Sequence, residues 1–236
     1  MTGFGVCEKG SYRKENQDSI LIRCKGRSGL FIVADGVGGS DKGAAASQYI
    51  TERYAQWWKE EFLKVRIRSF FDCFNSIKNL AEQINDSICT RYGAGKSCST
   101  IVLLFIHKGI YGYLSVGDSR IYHYGKKGFQ RITRDDVWEN RPGADVSSIH
   151  VGKIISAVGG FEKLEYSCAT DKIHLGEIFI LCSDGIYKFV TEISLKISMK
   201  TMYKSFFLQE SMVKELAKKA SDNDTKDNYS LVVVKV

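Results

Sequence analysis

Apolar and polar positions alternate differently along the chain, and the changes of period mark its elements. Residues 19–24 (SILIRC) and 30–34 (LFIVA) are short β-rich runs joined by Lys25-Gly26-Arg27-Ser28-Gly29, which predicts a hairpin with a five-residue loop. From Lys42 the period lengthens. Ile50, Tyr54, Trp58 and Phe62 recur every four residues, and Ile77, Ala81, Ile84 and Ile88 repeat the spacing after a break. Two amphipathic helices follow from that pattern, with large aromatics packed into a core beneath them. Strand-like sequence returns over residues 99–107, 110–116, 120–124 and 129–132, punctuated by Gly109, Gly125 and Gly128. This predicts an antiparallel meander. Residues 135–160 carry little periodicity and hold the single proline, Pro142, so they read as an irregular excursion. A strand over 177–182, helices over about 193–203 and 210–220, and a closing strand over 228–236 complete the chain. Strands adjacent in sequence and helices in pairs point to a layered, mostly antiparallel α+β domain rather than an alternating α/β sheet.

Composition narrows the class. The 236 residues, 44% hydrophobic and 26% charged, are enough for one core without disulfide or metal staples, so a single domain spanning residues 1–236 is expected. The longest uninterrupted apolar run is residues 101–106, far short of the about 20 residues a membrane span needs. The first residues carry no basic stretch followed by an apolar run. Seven scattered cysteines include no C-x-x-C pair and the four histidines share no metal-ligand spacing, which argues against a soft-metal site. These features predict a cytoplasmic protein with free thiols. The net charge of +7 is spread out, and a mild basic excess over residues 196–219 reads as a solvated helix face; no nucleic-acid or membrane partner is expected.

The chemistry lies in the aspartates. Asp35, Asp118 and Asp184 each follow an apolar run in a small-residue setting (Asp35-Gly36, Gly117-Asp118-Ser119, Ser183-Asp184-Gly185), and Asp227 precedes the last strand. A lone Asp at a strand end is ordinarily a turn former. Several at the ends of buried runs carry a desolvation cost that a shared hard cation would relieve. Oxygen-only ligands without His or Cys suit Mg²⁺ or Mn²⁺, and a pair of such ions can activate water for in-line displacement at phosphorus. Arg13, close to Asp18, offers a fork matched to phosphate oxygens.

The ordered set Arg13-x-x-Asn16-Gln17-Asp18, Asp35-Gly36-Val37-Gly38-Gly39, Ser99-Thr100, Gly117-Asp118-Ser119-Arg120, Ser183-Asp184-Gly185 and Asp227-Asn228 resembles the metal-dependent type 2C serine/threonine protein phosphatases, of the compact bacterial type. The likeness runs from about residue 3 to residue 236. It implies a β-sandwich of two antiparallel sheets flanked by helix pairs, with a Mn²⁺ or Mg²⁺ centre at one end, and hydrolysis of phosphoserine or phosphothreonine in proteins without a phosphoenzyme. By the same resemblance Asp35 bridges both ions and the Gly36 carbonyl is a ligand of the second. Asp184 and Asp227 complete the first ion, while Asp18 and Gln17 hold metal-bound waters. Arg13 binds phosphate, so that Arg13, Asp35 and Asp184 form the catalytic set. Asp118 with Asp184 corresponds to a third, weaker ion. The implied partners are phosphorylated proteins, opposing a serine/threonine kinase, and the chain is expected to act as a monomer.

The chain departs from the family pattern at three places. Val37 stands where animal members have a histidine proposed as general acid, so the leaving alkoxide would take its proton from a water at the metal centre or another group. Thr133-Arg134-Asp135-Asp136 replaces the usual Thr-x-Asp-His, and Asp136 would either assist the third ion or compete with it. The following flap, at about 136–157, lacks the family's helical pattern and is expected to be open and mobile. Two competing readings remain at this level: a phosphatase-like binding module without turnover, and a histidine-kinase-type nucleotide-binding ATPase in which residues 35–39 imitate an Asp-x-Gly-x-Gly box. The first normally lacks a metal carboxylate, and all are present here. The second needs an Asn on an upstream helix, whereas Asn16 lies before a strand.

Overall fold

A computed structural model describes residues 1–37, 42–64, 69–145, 147–205 and 210–236. Among these residues, ten strands form two antiparallel five-stranded sheets. One contains β1 (Thr2–Glu8), β6 (Arg120–Gly125), β7 (Gly128–Arg131), β9 (Ile178–Cys182) and β10 (Tyr229–Lys235), in the order β1-β10-β9-β6-β7. The other contains β2 (Asp18–Lys25), β3 (Ser28–Asp35), β4 (Ile101–His107), β5 (Ile110–Val116) and β8 (Ser167–Lys172), in the order β2-β3-β4-β5-β8. The expected α+β sandwich is present. Between the sheets lie Phe31, Val33, Val102, Leu104, Ile106, Ile121, Phe179, Leu181, Val232 and Val234. The central strands are buried on both faces, which is why they read as continuous apolar runs.

The helices α1 (Gly43–Trp57) and α2 (Phe70–Tyr92) cover the outer face of the β2–β5 sheet, burying Ile50, Tyr54, Ile77, Ile84 and Ile88. Ser69 caps α2 in a reciprocal pair with Asp72. The period of four in 50–62 is longer than an α-helix supplies, and the chain accommodates it by passing into a π-helical turn, Trp58–Phe62, where Trp58 and Phe62 stack at 4.4 Å. Past α3 (Asp184–Tyr187), α4 (Glu192–Lys204) and α5 (Glu210–Asp222) cover the other sheet through Leu195, Met199, Met202, Val213 and Leu216. Lys196, Lys200, Lys204, Lys214 and Lys218 are exposed, as the solvated-face reading expects. No helix among the described residues is long and apolar enough to cross a membrane.

Two local expectations need correction. The first hairpin is tighter than predicted: Lys25 pairs with Ser28, leaving Gly26-Arg27 as the turn while Gly29 belongs to β3. The predicted meander is split between the sheets, because β4 and β5 pair in one and β6 and β7 in the other. The crossing falls at Gly117, whose φ of 92° a side chain would strain, and where an added Cβ would meet the Thr100 side chain at 2.7 Å. Two strands gave no signal of their own, β1 and the exposed edge strand β8. The excursion has no α-helix among its described residues. It is tied together at its base by the Val137–Ile154 bridge and by bonds from Trp138 N to Lys153 O and Ile155 N to Asp136 O.

Candidate active site

The strand registers bring the predicted residues to one end of the sandwich. Asp18 and Asp35 are direct cross-strand partners at the open end of the β2–β3 hairpin. Val116 at the end of β5 pairs with Ile101, next to Thr100, whose backbone N–H donates to the Asp35 carbonyl at 2.8 Å; Asp118 therefore leaves the same edge. In the other sheet Cys182 pairs with both Leu231 and Arg120, so Asp184, Asp227 and the start of β6 lie together. The segment carrying Arg13 is pinned to this edge by Asn228: its side-chain amide donates to the Lys9 and Glu15 carbonyls, and its carbonyl oxygen accepts the Gln17 N–H at 2.9 Å.

Like charges face one another here. Burial, then the carboxylates of Asp18, Asp184, Asp118 and Asp227, push the Asp35 carboxyl well above the usual carboxylate range. Asp18 is pushed up to about 6 by burial and by Asp184, although the hydrogen bond from Ser183 opposes the shift. Asp118 is raised by burial and Asp184, with Lys188 and Tyr187 pulling the other way. One oxygen each of Asp18 and Asp184, Oδ1, is buried without a hydrogen-bond partner, while Asp18 Oδ2 accepts from Ser183 at 2.9 Å. Such orphaned carboxylate oxygens, facing other carboxylates, fit a divalent hard cation. Gly36 fits as well, since any Cβ there would meet the Gly43 backbone at 2.6 Å and the Gln17 carbonyl at 2.8 Å, so only glycine brings its own backbone into the cluster. Gly38 and Gly39 lie outside the described residues.

The side chains do not stand as a finished coordination shell: among the described residues no three His, Cys, Asp or Glu groups are close enough to hold an ion together. Side-chain cations draw two of the carboxylates aside. Arg13 Nη2 donates to Asp227 Oδ2 at 2.7 Å, and Lys188 Nζ to Asp184 Oδ2 at 2.7 Å. The expected phosphate-binding arginine and one expected ligand are thus paired with each other.

Residues beyond those singled out by sequence complete the picture. The Tyr187 hydroxyl donates to Asp118 Oδ2 at 3.1 Å, and Arg120 lies 3.6 Å over the Tyr187 ring while gripping Asp135 through Nε and Nη2. Asp136 is tied to the crossing between the sheets, its Oδ2 accepting the Gly117 N–H at 3.0 Å and its own N–H donating to the Gly117 carbonyl. Lys188 had a legible signal: it stands four residues after Asp184, the spacing of a helical ion pair.

Comparison with known proteins agrees with this geometry. A family model described as protein phosphatase 2C matches residues 11–219. A Mycoplasma genitalium protein described as a protein phosphatase is 26% identical over 248 residues, covering 98% of this chain and 93% of that protein. The structure of the S. agalactiae serine/threonine phosphatase superposes with a TM-score of 0.83 at 19% identity, over 100% of this chain and 99% of that one. The catalytic domain of the serine/threonine phosphatase PstP, in complex with two manganese ions, superposes with a TM-score of 0.78 at 20% identity, over 99% and 97% of the two chains. With the family match spanning most of its length, the chain belongs to the protein phosphatase 2C family.

Proposed function

We propose that the carboxylate end of this sandwich carries out the metal-dependent hydrolysis of phosphoserine and phosphothreonine that defines the family. Asp35, Asp184, Asp227 and the Gly36 carbonyl would hold a pair of Mn²⁺ or Mg²⁺ ions, with Asp18 and Gln17 ordering water around them. When bound, the ions supply an acidified water and positive charge for in-line displacement at phosphorus. Asp35 is central because it lies directly opposite Asp18 and faces four carboxylates. Arg13 binds the phosphoryl oxygens once released from Asp227, and its 46% side-chain exposure leaves it free to reach a substrate outside the sandwich. With Val37 in place of a histidine, no imidazole stands beside Asp35 in sequence to protonate the leaving alkoxide. The substrates are phosphorylated proteins. Opposition to a serine/threonine kinase, a monomeric state, a single domain over the whole chain and a cytoplasmic location belong to this proposal, and the binding-module and ATPase readings are not favoured.

The observation that carries the reading is the pair of buried, unpartnered oxygens of Asp18 and Asp184 at the end where Asp35 lies. The test is hydrolysis of p-nitrophenyl phosphate and a phosphothreonine peptide with Mn²⁺, with Mg²⁺ and with EDTA. Activity is expected with either metal and none after chelation. Turnover that survives exhaustive chelation, or a covalent phosphoenzyme on rapid quench, overturns it.

A further inference from the structure

Asp118 and Asp184, the carboxylates that by resemblance would hold a third ion, already have donors, and these come from consecutive residues of one short helical turn. Tyr187 bonds Asp118 and Lys188 bonds Asp184. The turn is fixed: Lys188 N donates to the Asp184 carbonyl at 3.1 Å, which sets the lysine one turn beyond the aspartate on the same face. Tyr187 is held by Arg120 over its ring, and Arg120 by Asp135. The ammonium thus stands on the Asp184 oxygen that a third ion would share with Asp118.

We propose that Lys188 is a built-in cation that replaces the third metal ion, so that this chain works with two ions and a tethered ammonium. The inference rests on the reading of the site as a two-ion phosphatase centre. Asp184 is divided accordingly: Oδ2 is on Lys188, whereas Oδ1 is buried and unpartnered, the oxygen left for a principal ion. Asp118 and Asp35 lie within electrostatic reach of the same ammonium. A lysine supplies one positive charge with three donors and no exchange with solution, whereas a weakly held ion depends on the free metal concentration. Lys188 is a positioning residue here, acting through Asp184 and Asp118.

Metal counting on the full chain tests this independently of turnover. Each protein is saturated with Mn²⁺, and bound metal per chain is measured by equilibrium dialysis with elemental analysis. Wild type is expected to bind about two ions and Lys188→Gln about three, because removing the ammonium frees Asp184 Oδ2 and takes away the positive charge beside Asp118, leaving room for another hard cation. Lys188→Arg keeps the charge and should stay at two, and the double variant Lys188→Gln/Asp118→Asn should return to two. Lys188→Met, which keeps the stem, repeats the test should the glutamine variant fold poorly by circular dichroism. Three ions in wild type falling to two in Asp118→Asn, or no gain in either neutral variant, overturns the proposal. Fewer than two ions in wild type overturns the two-ion reading beneath it, and this outcome is distinguishable from the others.

Discussion

Both ends of the sandwich bury carboxylates, and they treat them in opposite ways. At the far end Glu177, 4% exposed, sits between His123 Nε2 at 3.1 Å and His174 Nδ1 at 3.3 Å, with each carboxylate oxygen assigned to a ring. At the near end Asp18 and Asp184 each keep an oxygen without a partner, and Asp35 is surrounded by like charge. The neighbouring segments differ in the same sense. The far end closes with tight turns at Gly26-Arg27 and Lys108-Gly109, whereas at the near end the chain crosses between the sheets at Gly117 and the Arg13 segment is pinned across the edge. A buried charge that serves the fold is satisfied by the fold. One left unsatisfied is held in readiness for a ligand, at a cost in stability that the rest of the sandwich offsets.

The comparison breaks most sharply at Asp35. Asp35→Asn should lower kcat by about a thousandfold or more, roughly 4 kcal/mol of barrier, while raising the melting temperature of the chelated protein by removing a charge that faces four others. A variant that keeps its rate, or that melts lower without metal, would place Asp35 with Glu177 as a structural carboxylate. Arg13→Ala should cost about 1.5–3 kcal/mol of charge-assisted phosphate binding, or about one to two decades in kcat/KM on phosphothreonine peptide. Mn²⁺ affinity by calorimetry should hold or rise, since Asp227 is freed. At the far end the expectation inverts. Glu177→Ala should destabilise by about 1–3 kcal/mol in urea titration, because two histidines lose their carboxylate, with kcat/KM unchanged. The smallest effect is a pH dependence. Asp18, raised to about 6, is above its unfolded value of about 3.9. Its contribution is therefore complete below that unfolded value and is lost as pH rises through about 6. The chelated protein should melt lower at about pH 7.5 than at about pH 5, by on the order of 1 kcal/mol or about 2–4 °C. Saturating Mn²⁺ should reverse the sign, since the ligands must be ionised to bind it. A scan that falls with rising pH even in Mn²⁺ would detach Asp18 from the metal centre.

Much of this was legible in the chain. The apolar runs 30–34 and 101–106 became doubly buried central strands, and the spacing of Ile77, Ala81, Ile84 and Ile88 marked a helix face, because period and burial are local consequences of side-chain direction. β8 escaped notice because five of its six residues are exposed, so there is no alternation to see. β1 has one glycine beside Phe31 and another beside Ile20 and carries no apolar run of its own. The first hairpin is tighter than its sequence predicts because Ser28 and Gly29 have turn chemistry, while pairing with Lys25 and Cys24 places them in the sheet.

The site divides along the same line. Sequence alone determined which residues have the chemistry: carboxylates after buried runs, one arginine before the first of them, and no His or Cys set to compete for a hard ion. Tertiary structure decided their relations. The β2–β3 register set Asp18 opposite Asp35, the crossing at Gly117 carried Asp118 to the same edge, and the fold gave Asp227 to Arg13, Asp118 to Tyr187 and Asp136 to the Gly117 backbone. The physical reason is that a residue type and its neighbours in sequence fix donor chemistry and local direction. Which charge finally meets which depends on contacts between segments as much as 214 residues apart, as Arg13 and Asp227 are.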